Sequence, residues 1–325
     1  MHIRKHLILL LSITAYLASE AQNKKPVTKP KPAPTQKVTQ TNPNNSLLWE
    51  VSGRGLTEPS YLYGTMHMVC AEDTKMSEGL KLAIKKSKQV YFELDMDNMD
   101  EMMSVLKFAR MTNGLKLSDL VSPVDYQKLE DYFKDNKSVL PFGMMSRFKP
   151  YFITAIISEG IMNCKKKISV EQMIMSEARQ YDKEVNGLET LEFQASIFDS
   201  IPYEKQAQDL VMYVDSIDKF KEITMEMVDM YRKQDINNMD SLMEKSDPGM
   251  MQYMDLLLYD RNKRWASQIP EQMFNMPTLF AVGAGHLGGE KGVINLLKQQ
   301  GFTMKPLDNT KFVNVDTKTA KATSL

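Results

Sequence analysis

The sequence predicts an α/β protein, with a central mixed β-sheet, flanking helices and a large helical insertion between two Gly-x-x-His halves. Three observations carry this. Short apolar runs such as Gln89–Leu94 (QVYFEL) and Thr278–Val282 (TLFAV) have the length and composition of buried strands. Residues 98–270 are mostly patterned at helical spacing, with one strand-like interruption at Glu184–Leu188. Two of the strand-like runs end in the same motif, Gly64-Thr-Met-His67 and Gly283-Ala-Gly-His286.

The 325 residues suffice for one large domain or two modest ones, and 42% apolar residues are ample for a core. Basic and acidic residues number 41 each, so there is no electrostatic footprint for nucleic acid, and none is expected as a partner. Methionine is unusually frequent, with 26 residues. Clusters such as Met99, Met102, Met103 and Met250, Met251, Met254 have the thioethers that suit copper(I), but their helical spacing favours core packing.

Residues 1–21 read as a secretory signal: a basic start (Arg4, Lys5), the apolar run Leu7–Ala18, then small residues at Ser19 and Ala21. A run of 12 residues is short of the roughly 20 needed to span a bilayer, so no stable membrane span is expected after cleavage. The expected location is periplasmic or extracellular. Residues 22–45 form a linker rich in Pro, Lys and Thr, with almost nothing to bury. The folded domain is expected over residues 46–310, and 311–325 reads as a polar tail.

Within the domain, Leu47–Ser52 and Ser60–Tyr63 read as a β-hairpin around Gly53, Gly55 and Pro59. A helix over Ser77–Lys88 and the strand Gln89–Leu94 follow. Helix starts are marked by Asn98 with Glu101, Ser122 with Pro123 and Asp125, and Ser169 with Gln172. After the strand at Glu184–Leu188, a long amphipathic stretch runs from Tyr203 to Gln234, and Leu256–Ile269 is helical. Thr278–Val282 is the strand before the second histidine. A helix over Gly292–Gln300 and a strand over Phe302–Leu307 close the domain, with Lys311–Val315 as a short addition.

The chain has four histidines, and two, His2 and His6, fall in the expected signal. The mature chain then keeps His67 and His286, both in the repeated motif. Glycine at a strand end permits positive φ and close backbone approach, which would project each imidazole over the carboxyl edge of the sheet, where α/β folds place ligands. The plainer alternative is two hydrogen-bonded structural histidines. Glu93, ending an apolar strand, is the natural third member. Arg261 and Trp265 share a helix face, and Arg261 with Asn262 forms a polar pair there. The two cysteines, Cys70 and Cys164, are expected to bridge in an oxidising compartment. The competing role is Cys70, three residues after His67, as a metal ligand. Gly283-x-Gly285-x-x-Gly288 matches a dinucleotide fingerprint, but too little chain follows for further βαβ units.

Between about Leu47 and Asp308 the chain resembles the TraB/PrgY/GumN family, which includes the Tiki metalloproteases. The resemblance is carried by YLYGTMH (Tyr61–His67), FELD (Phe92–Asp95), GLET (Gly187–Thr190), RNKRW (Arg261–Trp265) and AVGAGHLGGEKGV (Ala281–Val293). It implies a metal and catalytic constellation of His67, His286 and Glu93, with Glu189, Arg261 and Asn262 as accompanying site residues. It also implies a divalent metal ion (Mn, Co or Zn) and a peptide or protein substrate. Two imidazoles and a carboxylate leave an open coordination position, as hydrolytic sites require. Glu93 could be a ligand or the general base. No H-E-x-x-H occurs, so the site must be assembled by the fold from distant segments. The expectation is an exported metal-dependent hydrolase, and the alternative is a non-catalytic protein of the cell envelope that sequesters a peptide or small ligand.

Overall fold

The computed structural model describes residues 45–312, apart from 73, 137–139, 163, 240–241 and 243–250. The expected signal, nearly all of the linker, and residues 313–325 of the tail lie outside the described residues.

Eight strands are present among the described residues: β1 (Leu48–Ser52), β2 (Ser60–Thr65), β3 (Val69–Cys70), β4 (Gln89–Leu94), β5 (Lys167–Ile168), β6 (Glu184–Glu189), β7 (Thr278–Gly283) and β8 (Thr303–Pro306). Six form one mixed sheet in the order β6-β4-β7-β2-β1-β8, and β3 pairs with β5 in a separate ribbon. β6, β4, β7 and β2 are mutually parallel, whereas β1 runs antiparallel to both β2 and β8. The sequence accounts for this arrangement. β2 and β7 are apolar through their centres, Tyr61–Tyr63 and Leu279–Val282, and buried along nearly their whole length, as parallel strands covered on both faces must be. β1 and β2 form the predicted hairpin, with Leu48 opposite Tyr63. β8 carries Pro306, which is tolerated at a sheet edge because it need not donate to a ladder.

The main helices are α1 (Glu78–Lys86), α2 (Met99–Phe108), α3 (Pro123–Asp135), α4 (Pro150–Ile161), α5 (Val170–Gln180), α6 (Leu191–Asp199), α7 (Tyr203–Asp215), α8 (Ile217–Arg232), α9 (Asp260–Asn275) and α10 (Val293–Gln299). Ser77, Ser122, Ser169 and Thr190 cap α1, α3, α5 and α6, each accepting from a backbone N–H of the first turn. The long stretch from Tyr203 is two helices. It breaks at Ser216, and the Tyr213 and Phe220 rings stack across the break with centroids 4.2 Å apart. Hydrophobic contact across that corner replaces the continuous helix suggested by amphipathicity alone. At the end of the fold, Phe312 bridges Ser77 and the Lys311 carbonyl accepts from Glu78. The rest of the expected Lys311–Val315 strand is outside the described residues.

Two cores result. One surrounds the sheet and includes Trp49, Tyr63, Phe92, Trp265 and Phe280. The other lies within the helical insertion and includes Phe148, Ile153, Leu191 and Leu210. Cys70 and Cys164 are joined by a disulfide, so Cys70 is not a free thiolate. The bridge ties the segment just after His67 to the loop after α4. The methionine expectation holds only in part: Met254 is buried, whereas Met99 and Met103 are exposed.

Candidate functional site

All four parallel strands end at one sheet edge, and each delivers a site residue there. The register makes this unavoidable: Thr65 pairs with Gly283, Phe92 with Ala281, and Leu94 with Glu189. Glu93 and Glu189 therefore stand on adjacent strands, and His67 and His286 follow the ends of the other two. The glycines meet one half of the sequence expectation, close approach, and not the other, positive φ. Neither Gly64 nor Gly283 has positive φ. They are needed for space, because a Cβ at Gly64 would lie 3.1 Å from Ala284, and one at Gly283 would lie 3.1 Å from Glu93 Oε1.

Arg261 sits at the centre, projecting from α9. Its Nη2 donates to Glu93 Oε2 at 2.5 Å and its Nε to Glu189 Oε2 at 3.0 Å. Its Nη1 lies 3.3 Å from His286 Nε2, and the guanidinium packs 4.8 Å from the Trp265 ring centroid. The cluster is secluded: side-chain exposure is 12% for Arg261, 12% for Glu93 and zero for Glu189. Glu93 Oε1 accepts the Gly283 backbone N–H at 2.9 Å, and Gln194 Nε2 lies within reach of both Glu93 and Glu189. Burial alone would raise the Glu93 carboxyl. Arg261, the two histidines and the Gly283 amide outweigh it and hold Glu93 well below the usual carboxylate range.

His286 is buried and its tautomer is fixed by Asn262. The Asn262 amide nitrogen donates to the Lys291 carbonyl at 3.0 Å, so its Oδ1 faces His286 Nδ1 at 2.6 Å. Nδ1 therefore carries the proton, and Nε2 is left as an acceptor facing Arg261 and, at 3.9 Å, Glu93. Burial lowers the His286 pKa to about 3, with Arg261 reinforcing the effect and Glu93 opposing it. His67 is arranged differently. Its side chain is 47% exposed, and Nδ1 lies 2.8 Å from Glu171 Oε1 of α5. Desolvation works against its charge, but Glu171, supported by Glu93, pushes the pKa up to about 9.

His67, Glu93, Arg261 and His286 line one cleft of about 660 Å³ between the sheet edge and the helical insertion. All six residues marked in the sequence converge here: His67, Glu93, Arg261 and His286 on the cleft, with Glu189 and Asn262 behind them. Glu171 and Gln194 were not legible. In sequence, Glu171 is an ordinary acidic residue in the first turn of a helix, and nothing marks Gln194 as different from any other helical glutamine. The glycine fingerprint is not a nucleotide loop. β7 runs into a short 3-10 turn at Ala284–His286, and the following strand, β8, pairs with β1 at the sheet edge, separated from β7 by β2 and β1. At Gly288 a Cβ would lie 2.2 Å from the Ile236 carbonyl, which explains that glycine by packing.

The donor chemistry suits a divalent ion. Each imidazole gives Nδ1 to a fixed partner, Glu171 or Asn262, as metal-ligating histidines do; Nε2 of His286 is then an acceptor, and Nε2 of His67 must lose its proton to coordinate. Among the described residues, however, no three His, Cys, Asp or Glu side chains are gathered closely enough to hold an ion. In this arrangement Arg261 supplies the positive charge between Glu93 and His286.

Residues 47–306 match the TraB/PrgY/gumN family. The chain belongs to that family. Among its TraB/PrgY/gumN relatives, the chain is similar to a metalloprotease TIKI homolog of Nematostella vectensis, with 21% identity over 84% of this chain and 70% of the relative. It is also similar to Metalloprotease TIKI2 of Danio rerio, with 21% identity over 80% of this chain and 61% of the relative. Metalloprotease TIKI1 of Danio rerio is 22% identical over 80% of this chain and 63% of its own length. The chain thus spans between 61% and 70% of the length of these three relatives. No solved structure matches it.

Proposed function

We propose that this protein is a metal-dependent peptidase whose ion is held by His67, His286 and Glu93. The observation that carries the proposal is the pair of oriented imidazoles, each tied through Nδ1 and both lining one cleft with Glu93, which lies 3.9 Å from His286. A divalent ion held there would supply the Lewis acidity that activates water and a peptide carbonyl. Glu93 is read as a ligand and not as the general base. Its Oε1 is fixed by the Gly283 amide 3.9 Å from His286 Nε2, so the carboxylate and the imidazole present their donors to the same space. Glu189 and Gln194 position Arg261 and Glu93, and Asn262 keeps Nε2 of His286 unprotonated. Arg261, once drawn off Glu93, is a buried cation on the cleft able to stabilise negative charge developing on a substrate carbonyl.

Support for a peptide substrate comes from the metalloprotease relatives, and support for export from the disulfide. Among the described residues, no helix is long and apolar enough to cross a membrane. Residues 1–21 as signal, 22–45 as linker, 46–310 as the folded domain and 311–325 as tail complete the proposal.

A second reading is favoured by one contact. Arg261 already occupies Glu93 and the Nε2 side of His286, as befits a protein that binds in the cleft without turnover. A peptide library incubated with the manganese-, cobalt- or zinc-loaded protein, with and without chelator, separates the two. Chelator-sensitive cleavage lost in Glu93→Ala supports the peptidase. Peptide binding unchanged by Glu93→Ala, with no cleavage under any loading, supports the binder.

A further inference from the structure

The cleft contains one group that the candidate metal centre leaves unexplained. Much of its wall is apolar, including Met162, Phe220, Ile223 and Leu257. Glu159, on α4, lines the same space. Its Oε2 is buried without a hydrogen-bond partner. Lys167 reaches this residue but gives its ammonium to the Glu159 backbone carbonyl, at 2.5 Å. Burial pushes the Glu159 carboxyl up to about 7, and His67 and Lys167 offset it only in part. An unsatisfied, desolvated carboxylate oxygen is costly, yet it belongs to a residue that lines an open cleft. There a ligand can satisfy it.

We infer that Glu159 anchors a lysine side chain of a peptide lying in the cleft, so that the protein selects lysine among apolar neighbours. The inference rests on the peptidase reading for what the cleft holds. Lysine matches the wall because its four methylenes can lie along apolar surface and its compact ammonium needs a single acceptor. Arginine matches less well, since its planar fork is best satisfied by two carboxylate oxygens at once. A free amino terminus has the charge but no apolar stem to carry it across the wall.

The test is equilibrium binding by fluorescence anisotropy, with metal chelated so that no turnover intervenes. The probes are labelled peptides acetyl-Ala-Leu-X-Leu-Ala-amide, with X lysine, arginine or norleucine, and an unacetylated norleucine peptide whose only cation is its terminus. The wild type is expected to bind the lysine peptide at least 10-fold more tightly than the norleucine peptide. Glu159→Gln, which is isosteric and removes an unpaired buried charge, is expected to bring the two within twofold while leaving norleucine binding unchanged. Equal wild-type affinities for lysine and norleucine overturn the inference without any variant. So does a lysine preference that survives in Glu159→Gln, or an unacetylated norleucine peptide that binds as well as the lysine one. The two proposals fail separately. Lysine-selective binding with no cleavage after metal loading removes the peptidase and keeps Glu159 as the anchor. Cleavage indifferent to lysine does the reverse.

Discussion

Replacing Arg261 with methionine keeps most of the apolar stem against Trp265 and removes the charge between two buried carboxylates. Glu93 and Glu189 are then left without their guanidinium, at side-chain exposures of 12% and zero. Removing one partner of a buried pair costs about 3–5 kcal/mol, because the remaining charge is uncompensated. At roughly 2–4 °C per kcal/mol for a domain of this size, the melting temperature should fall by about 10 °C. Circular dichroism melts of the metal-free protein at pH 7 read this directly. The pH dependence gives a second check. Glu93 has a folded-state pKa below its ordinary value of 4.5, so its stabilising contribution is present above 4.5 and is lost as pH falls. Arg261→Met abolishes that contribution, so the gap between wild type and variant should narrow below pH 4.5. Adding Glu93→Gln should recover part of the loss, since the two sites are coupled. A loss below about 1 kcal/mol, the size of an exposed ion pair, would refute the buried, charge-balanced cluster.

Three further outcomes follow from neighbouring contacts. Glu171→Gln should return the His67 pKa from about 9 toward 6.5, measurable by NMR titration. Because the raised pKa stabilises fully below 6.5 and its effect fades as pH rises through 9, the wild type should lose stability across that window and the variant should not. Asn262→Ala should release His286 Nδ1 and weaken metal binding by about 10–100-fold, measured by competition with a chromophoric chelator. Cys70→Ala with Cys164→Ala opens a bridge spanning 94 residues and should cost about 4–5 kcal/mol by denaturant unfolding on the chain-entropy estimate.

The sheet was legible because its strands are short apolar runs bounded by turn residues. Gln89–Leu94 was predicted with the bounds the structure has, and Thr278–Val282 falls one residue short of β7. Four of the six marked site residues, His67, Glu93, Glu189 and His286, meet because parallel register brings four strand ends together, and a strand-end position is readable in sequence. What was not legible depends on packing between distant segments. Glu171 and Gln194 gain their roles only when α5 and α6 dock beside the sheet edge. The same holds for Arg261 lying between Glu93 and His286. In sequence it is an arginine on a helix face, and its neutralising position arises from where α9 packs. The close approach expected at Gly64 and Gly283 is present and the positive φ is not, and the neighbours given room, Ala284 and Glu93, follow from how distant segments pack.

The central claim is that His67, His286 and Glu93 share one divalent ion, and metal content tests it most directly. The full protein, purified without a polyhistidine tag, would be loaded with manganese, cobalt or zinc, desalted and measured by mass spectrometry alongside His67→Ala and His286→Ala. The expected result is close to one ion per chain in the wild type and loss of that ion in both variants. A wild type that retains no metal under any loading condition, with Arg261 still seated between Glu93 and His286, would contradict it.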